Sequence, residues 1–226
     1  MITVENLSKS YGDQEVLKGI SRCFDTGKVY GIIGENGAGK TSLFRCIAGL
    51  ETYTGHIYSS HTPLKNHLGL LLTDPFFFTK ITGQEYLKLV CQARGKEIKN
   101  LEEKNIFALP LNRYASTYST GMKKKLALLG ILLQNNDYFI LDEPYNGVDI
   151  QSNIIISEII LKLKQSGKTV LISSHIFSTL SDTCDEILLL KEGRFTRTVT
   201  KNEFSLLEQE MKNTLVDKRI DNLWEF

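Results

Sequence analysis

Residues 34–41 read Gly34-Glu35-Asn36-Gly37-Ala38-Gly39-Lys40-Thr41 and fit the pattern G-x-x-x-x-G-K-[ST]. Glycines in such a loop let backbone N–H groups surround a chain of phosphates without an intervening side chain. The preceding run, 29–33, is β-branched and aromatic, whereas 42–50 carries apolar residues at helical spacing. Because a helix N-terminus after a glycine loop favours anions, the sequence predicts a phosphate-binding loop.

The loop assigns roles to individual residues. Lys40 supplies positive charge to the terminal phosphates, and the Thr41 hydroxyl is placed to ligate Mg²⁺. An ordinary glycine-rich turn is the alternative, and the flanking strand and helix disfavour it. We therefore predict nucleotide binding by the loop and the first helical residues, namely Gly34, Asn36, Gly37, Ala38, Gly39, Lys40, Thr41 and Ser42.

The composition is that of an ordinary globular chain. Its 226 residues are 42% hydrophobic and 23% charged, with a formal net charge of +1. These values predict one domain over 1–226 and give no overall field that would attract nucleic acid. The four cysteines lack paired metal-ligand spacing, and His56, His61 and His67 show no metal-like grouping, so we predict surface histidines.

The sequence also bears on location. The first residues do not form a secretory signal, and the longest apolar run, 126–133, is shorter than the ~20 residues that cross a bilayer. We therefore expect a cytoplasmic protein, and any role at a membrane requires a partner.

Residues before the loop have an antiparallel character. Alternating β-formers predict strands over 2–7 and 16–24, joined by a turn at 8–13. Tyr11 is an aromatic residue just outside the first of these strands. Packing at the sheet edge is the simplest role for its ring.

A helical insert is predicted in the middle of the chain. Near-helical spacing of apolar residues predicts helices over 83–95 and 97–109, so the segment 74–119 is expected to be all-helical. Phe76, Phe77 and Phe78 cannot all face one side of a strand or helix. We expect two of these rings in the core and the third exposed or facing a partner.

The second half of the chain places polar residues at the ends of apolar strands. Tyr138 to Asp142 predicts a buried strand that delivers Asp142 and Glu143, and 169–174 predicts another strand that ends beside His175. Ligands bind at the carboxyl ends of parallel strands. Asp142 can therefore reach a Mg²⁺ ion, and Glu143 can point at a water in line with the last phosphate.

Two short loops precede the later helices. Ser119 to Met122 lead into a helix over 123–134, where a hydroxyl at the helix N-terminus makes either a second anion site or a simple capping turn. Lys123, Lys124 and Lys125 at its start predict a solvated face. Gly147 to Asp149 open a helix over 150–165.

The chain is predicted to end in a hairpin and an amphipathic helix. Residues 186–190 and 195–199 flank a turn and form the hairpin. Residues 202–226 have a helical pattern that is expected to dock on the same domain. Its apolar members are Phe204, Leu207, Met211, Leu215 and Trp224.

The order of these pieces resembles the ATP-binding subunit of ABC transporters over nearly the whole chain. By that resemblance 34–41 is the Walker A loop, 140–142 is the Walker B strand, and Glu143 is the general base. Gly147 to Asp149 resemble the D-loop, and His175 falls where the family's switch histidine contacts the γ-phosphate.

The resemblance adds further nucleotide contacts and a fold class. Tyr11 resembles the aromatic that stacks on adenine, and Ser119 to Met122 occupy the place of the signature L-S-G-G-Q, so Ser119, Gly121 and Asp149 are implied to contact nucleotide. The implied fold is an α/β P-loop NTPase core with a mainly parallel sheet, an N-terminal antiparallel β subdomain and a helical subdomain.

Two positions depart from the family pattern. The signature has Thr120 for its first glycine and Met122 for glutamine, a variant that resembles subunits paired with export-type permeases. Thr73 falls at the place of the Q-loop glutamine, which helps to ligate Mg²⁺. Because threonine is shorter, we expect it to act on the ion only through a water.

The resemblance implies an ATPase with ATP and Mg²⁺ as cofactors. It implies a head-to-tail dimer, with a second copy or another ABC ATPase, that associates with a membrane permease on the inner face of the cell membrane. Lys40, Glu143 and His175 are the implied catalytic residues, and Thr41, Asp142 and Thr73 the metal ligands. A soluble ATP-binding regulatory or assembly module of the same fold is the alternative, and Thr73 is the feature that favours it.

Overall fold

The computed structural model describes the backbone of residues 1–216 and the side chains of residues 1–210. The C-terminal helix, predicted from residue 202, begins at Phe204 after a 3₁₀ turn and is described to Val216. The predicted apolar residues Met211, Leu215 and Trp224 have side chains outside the described range.

Most of the predicted elements are present. Over residues 1–216 the strands are β1 Ile2–Tyr11, β2 Gln14–Phe24, β3 Val29–Ile33, β4 Thr54–Ser59, β5 Leu68–Leu71, β6 Tyr138–Asp142, β7 Thr169–Ser173, β8 Glu186–Lys191 and β9 Arg194–Thr200. Over the same residues the α-helices are α1 Lys40–Ile47, α2 Gly83–Gln92, α3 Leu101–Lys104, α4 Thr120–Leu133, α5 Ile150–Gln165, α6 Phe177–Ser181 and α7 Phe204–Val216. Three short 3₁₀ turns lie at Leu64–Asn66, Ala115–Thr117 and Lys201–Glu203.

The strands form two sheets. The first is antiparallel, in the order β2-β1-β4, as the alternation near the N-terminus predicted. The second has six strands in the order β5-β6-β7-β3-β8-β9 and is parallel except for the β8–β9 hairpin. Because β3, β6 and β7 are central and parallel, their carboxyl ends meet at one edge, where a ligand can bind.

The parallel sheet separates two apolar cores. Val29 and Ile33 of β3 face the core that also contains α4, α5 and the C-terminal residues Phe204 and Leu207. The alternate residues of β3, such as Ile32, face a second core with α1 and the antiparallel sheet. The strand period of two thus fills both layers. The start of the C-terminal helix docks on its own domain through Phe204 and Leu207, as expected, and the other predicted apolar members have side chains outside the described residues.

The segment 74–119 contains less helix than predicted. The first predicted helix is present as α2, which begins with a capping box between Thr82 and Glu85. The second, predicted over 97–109, is wrong, because only the single turn α3 forms. Asn100 has a left-handed φ of 53°, and the Asn105 side chain bonds both backbone groups of Leu109 at 2.8 and 3.0 Å, which closes a turn instead of continuing a helix.

Two smaller predictions about aromatic residues are also wrong. Strand β1 continues into the predicted turn at 8–13 and ends at Tyr11, so that only residues 12 and 13 form the turn, because its pairing with β2 extends to Tyr11 and Gln14. Among the three adjacent phenylalanines, only Phe77 packs on the core, against Tyr86, and the other two rings are exposed.

Among the helices of residues 1–216, none combines the length and the apolar character that crossing a bilayer requires.

Candidate functional site

The predicted phosphate loop joins β3 to α1 and depends on its glycines. Gly37 and Gly39 have φ angles of 85° and 109°, a region that favours glycine, and Gly39 is the N-cap of α1. A Cβ on Gly34 would lie 2.3 Å from the carbonyl oxygen of Leu190. Lys40 is nearly buried, and its Nζ donates hydrogen bonds to the carbonyl oxygens of Gly34 (2.6 Å) and Glu35 (3.2 Å). The loop therefore surrounds a cation at the N-terminus of a helix.

A buried carboxylate lies beside the loop at the end of β6. Asp142 is completely buried, and its Oδ2 accepts hydrogen bonds from the hydroxyls of Thr41 (2.7 Å) and Thr73 (2.9 Å). Its Oδ1 accepts a hydrogen bond from the hydroxyl of Ser173 at 2.7 Å. The three predicted metal ligands therefore form one cluster of hard oxygen donors, which is the ligand type that Mg²⁺ prefers.

The next residue, Glu143, is held from both sides. Its backbone N–H donates to Ser173 Oγ at 2.9 Å, and its Oε2 lies 2.9 Å from Nδ1 of His175. Its φ of 50° is in the left-handed region, which non-glycine residues rarely adopt. Two of the three predicted catalytic side chains, Glu143 and His175, are therefore paired at the carboxyl ends of β6 and β7.

The loop that contains Ser119, before α4, lies against the loop before α5. Ser119 is the N-cap of α4, and its Oγ accepts a hydrogen bond from the Met122 N–H at 3.2 Å. A Cβ on Gly121 would lie 2.6 Å from the carbonyl oxygen of Gly147, so only glycine fits this close approach. Thr120 is the first helical residue of α4, where threonine is compatible with the backbone.

Comparison with known proteins identifies this arrangement. The model of the ABC transporter family matches residues 17–146. An uncharacterised ABC transporter ATP-binding protein from Methanocaldococcus jannaschii is 32% identical over 201 residues, which cover 85% of this chain and 75% of that protein. The chain belongs to the ABC transporter family. The bacitracin transport ATP-binding protein BcrA of Enterococcus faecalis is 33% identical over 217 residues, which cover 90% of this chain and 70% of BcrA.

A solved structure agrees with the predicted fold. An ATP-binding cassette in a dimeric, post-hydrolysis state with bound ADP and Pi superposes with a TM-score of 0.81 at 21% identity, covering 89% of this chain and 99% of that chain. The predicted α/β fold of an ABC cassette is thereby confirmed. As an ABC transporter ATP-binding subunit, the protein binds ATP and is an ATPase.

Asp149, which belongs to the D-loop by the resemblance, caps a helix. Asp149 is the N-cap of α5 and accepts hydrogen bonds from the Ser152 N–H (2.9 Å), the Ser152 hydroxyl (2.8 Å) and Lys125 Nζ (3.0 Å). The bonds from Ser152, followed by that from Lys125, hold the pKa of the Asp149 carboxyl well below its usual value. The D-loop is therefore attached to both α4 and α5.

The solvated face predicted for the lysines at the start of α4 is wrong for Lys124, which is buried, and for Lys125, whose side chain is 14% exposed and pairs with Asp149. Lys124 is 2% exposed, and its Nζ donates to the carbonyl oxygens of Glu143 (2.8 Å) and Asn146 (2.9 Å). The helix period explains this, because Gly121, Lys124 and Leu128 lie on one face of α4 and all are buried.

Three further predicted nucleotide contacts lie on the phosphate loop, on α1 and at the end of β1. Asn36 is exposed on the loop, and Ser42 is half-buried on α1. Tyr11 ends β1 with its ring 42% exposed, and Lys9 Nζ lies 4.6 Å from the ring centroid. Their contacts with adenine and phosphate stay predictions.

The histidines are grouped in a way that the sequence did not indicate. His61 and His67 stack with ring centroids 5.0 Å apart, and their ligand atoms lie within 4.8 Å of those of Asp137. The prediction of no metal-like grouping is therefore wrong for this pair. His61 Nδ1 lies 3.0 Å from Tyr138 Oη, and Asp137 pairs with both His67 (2.8 Å) and Lys168 (3.0 Å). These partners form a hydrogen-bonded network at the amino end of β6.

Sequence reasoning missed two residues of the ABC site. Ser173 was treated as part of a strand, although parallel pairing places it opposite Asp142 in the register of β6 and β7. Lys124 was treated as solvated, although it shares a face with Gly121. In both cases the signal that the sequence offered was the position of the residue relative to a recognised motif residue, Asp142 for Ser173 and Gly121 for Lys124.

Proposed function

We propose that this ABC ATPase drives a separately encoded membrane permease, of the export type, by ATP-dependent dimerisation. The observation that carries the proposal is the cluster at the carboxyl end of β6. The hydroxyls of Thr41, Thr73 and Ser173 surround the Asp142 carboxylate, and Glu143 and His175 pair beside it. Such a site contains both a nucleotide-binding half and a water-activating half, which a passive binding module would not need.

We infer the following roles from this geometry. Glu143 acts as the general base for the attacking water, since its carboxylate is 12% exposed and held by His175. Lys40 and His175 stabilise negative charge on the transferring phosphoryl group. Mg²⁺ would be held by Thr41 and Asp142, with Thr73 acting through a water, and when bound it would neutralise charge on the phosphate oxygens.

The dimer completes the site in this proposal. The N-terminus of α4, with Ser119 and Gly121, offers unpaired N–H groups to the nucleotide of a second subunit. A solved cassette of the same fold is a dimer with bound ADP and Pi, which supports a head-to-tail pairing here. The second subunit is another copy of this chain or a different ABC ATPase.

The permease contact belongs to the segment after β5. Phe76 and Phe78 are 77% and 60% exposed and pack edge to face with each other, with ring centroids 5.6 Å apart. Adjacent exposed aromatic rings mark interaction surfaces. We therefore place the permease on this segment and the protein on the inner face of the cell membrane.

A regulatory module that binds ATP without driving transport is the second candidate. Thr73 favours this second candidate. Its hydroxyl bonds directly to Asp142, and its side chain is shorter than that of a glutamine. In that case the site would bind nucleotide with little turnover.

Turnover of ATP by the purified protein separates the two candidates. We expect Glu143→Gln to lower kcat on the order of a hundredfold or more while ATP binding and ATP-dependent dimerisation persist. Glu97→Gln is the matched control, because Glu97 is exposed and distant in sequence from every site residue. Equal turnover by wild type and Glu143→Gln would exclude Glu143 as the base, and binding without turnover by wild type would support the regulatory candidate.

A further inference from the structure

Lys124 is a buried cation outside the predicted catalytic set. Its ammonium is surrounded by protein, and its two hydrogen bonds go to the backbone carbonyls of Glu143 and Asn146. Burial lowers the pKa of this ammonium, whereas the nearby carboxylates of Asp74, Glu143 and Asp142 act in the opposite direction. Lysine is rarely buried unless its charge is paired, because burying an unpaired charge is costly. The hydrogen bonds of the Lys124 ammonium are therefore expected to have a role in the protein.

The backbone that Lys124 contacts is strained. Glu143 has a φ of 50°, and a left-handed conformation is unfavourable for an L-residue because Cβ comes too close to the following carbonyl oxygen. Such a conformation persists only when its surroundings determine it from several sides. At Glu143 the N–H is held by Ser173 and the carbonyl oxygen by Lys124, so both peptide groups of the residue are fixed.

Helix α4 provides a rigid base for this contact. Gly121 packs directly on the Gly147 carbonyl, and Lys125, one turn later, pairs with Asp149. The first turns of α4 are therefore attached to the segment 143–149. Lys124 lies between these two contacts. The direction of the Glu143 carboxylate therefore depends on the position of the helix that carries Ser119 and Gly121.

We propose that Lys124 is a positioning residue for ATP hydrolysis, whose ammonium holds the carbonyl oxygen of Glu143 and thereby aims the Glu143 carboxylate at the attacking water. This rests on the proposed role of Glu143 as general base. Lys124 touches no reacting atom and acts through the backbone of that residue. It also links the base of one site to the helix that would contact the nucleotide of the partner subunit.

The test compares methionine substitutions at adjacent lysines. Lys124→Met keeps most of the length of the side chain and removes the donor, whereas Lys123→Met makes the same change at a half-buried neighbour. A displacement of about 1 Å at a reacting group costs on the order of a hundredfold in rate. We expect Lys124→Met to lower kcat by about 10- to 100-fold with KM and ATP affinity changed less than about threefold. Lys123→Met should match wild type.

Two further variants distinguish positioning from a purely structural role. Lys124→Arg restores a charged donor and should recover kcat to within about tenfold of wild type. In the double variant Lys124→Met with Glu143→Gln, the loss should not exceed that of Glu143→Gln alone, because residues that act as a unit are not additive. If Lys124→Met does not fold, as judged by thermal unfolding, the smaller donor-free variant Lys124→Leu takes its place.

The outcomes separate this inference from the proposed function. Full kcat in a folded donor-free variant, with Glu143→Gln inactive, overturns the role of Lys124 and leaves Glu143 as base. Full kcat in Glu143→Gln itself overturns the proposed role of Glu143 as general base, on which this inference rests. Losses that add in the double variant, or a rise in KM without a fall in kcat, also overturn the positioning role.

Discussion

Replacing Ser173 by alanine tests the hydrogen-bond cluster that organises the site. The Ser173 hydroxyl is fully buried, donates to Asp142 Oδ1 at 2.7 Å and accepts from the Glu143 N–H at 2.9 Å. Alanine removes both bonds and little volume. The substitution therefore isolates the polar contribution of one oxygen atom.

The expected cost follows from these two bonds. A hydrogen bond to a carboxylate contributes about 1.5–3 kcal/mol, and a backbone N–H left without a partner costs about 1–3 kcal/mol. Local relaxation recovers part of this sum, so we expect the free energy of unfolding to fall by roughly 2–4 kcal/mol. Thr169→Val is the control at the other end of β7, because the buried Thr169 hydroxyl makes one bond, to the Asp25 carbonyl at 3.1 Å. That variant should lose about 1 kcal/mol.

Equilibrium urea unfolding of the three proteins measures these differences. Linear extrapolation gives each free energy of unfolding, and an unchanged m-value shows that the variants can be compared. We also expect Ser173→Ala to lower kcat, since the backbone of Glu143 loses one of its two anchors. A loss below about 1 kcal/mol for Ser173→Ala, or equal losses for both variants, would refute the reasoning.

Two further predictions concern the loops at the ends of α4 and α5. Gly121→Ala should destabilise the protein by about 1–3 kcal/mol, because the new Cβ would lie 2.6 Å from the Gly147 carbonyl oxygen. The control Thr120→Ala, one residue earlier, should change the free energy of unfolding by less than about 1 kcal/mol. Similar unfolding midpoints for the two variants would contradict the close approach. Because hydrogen bonds from Ser152 and then Lys125 lower the folded pKa of Asp149 below 3.8, its contribution to stability is complete above about pH 4 and is lost as the pH falls through the folded pKa. Asp149→Asn, which keeps a capping side chain, should therefore show a flatter decline of stability below about pH 4 than wild type, and parallel acid unfolding curves would contradict this.

Several predictions based on short-range patterns were confirmed, whereas predictions that depended on burial or on an unusual backbone angle were less reliable. The phosphate loop, the buried strand before Asp142 and the helix opened by Asp149 are local features, and each was found at the predicted place. The helix predicted over 97–109 is wrong, because the spacing of apolar residues does not show that Asn100 adopts a left-handed φ. The exposure of two phenylalanines could not be predicted either, because it depends on which ring meets α2.

The candidate site shows the same division. Its motif residues were named from the sequence, and Thr41, Thr73 and Asp142 meet as the motif order implied. The sequence did not indicate that Ser173 would join them, since that contact depends on the register between β6 and β7.

Local sequence alone determined that this chain has a phosphate loop, which residues carry the charges and hydroxyls, and in what order they follow. These properties depend on neighbours within a few positions, so they can be predicted before the chain folds. Only the tertiary structure decided that Lys124 is buried against the backbone of Glu143 and that His61 and His67 meet at Asp137. Such contacts join residues far apart in the chain or depend on which helix face meets a neighbour, and packing of the whole domain decides them.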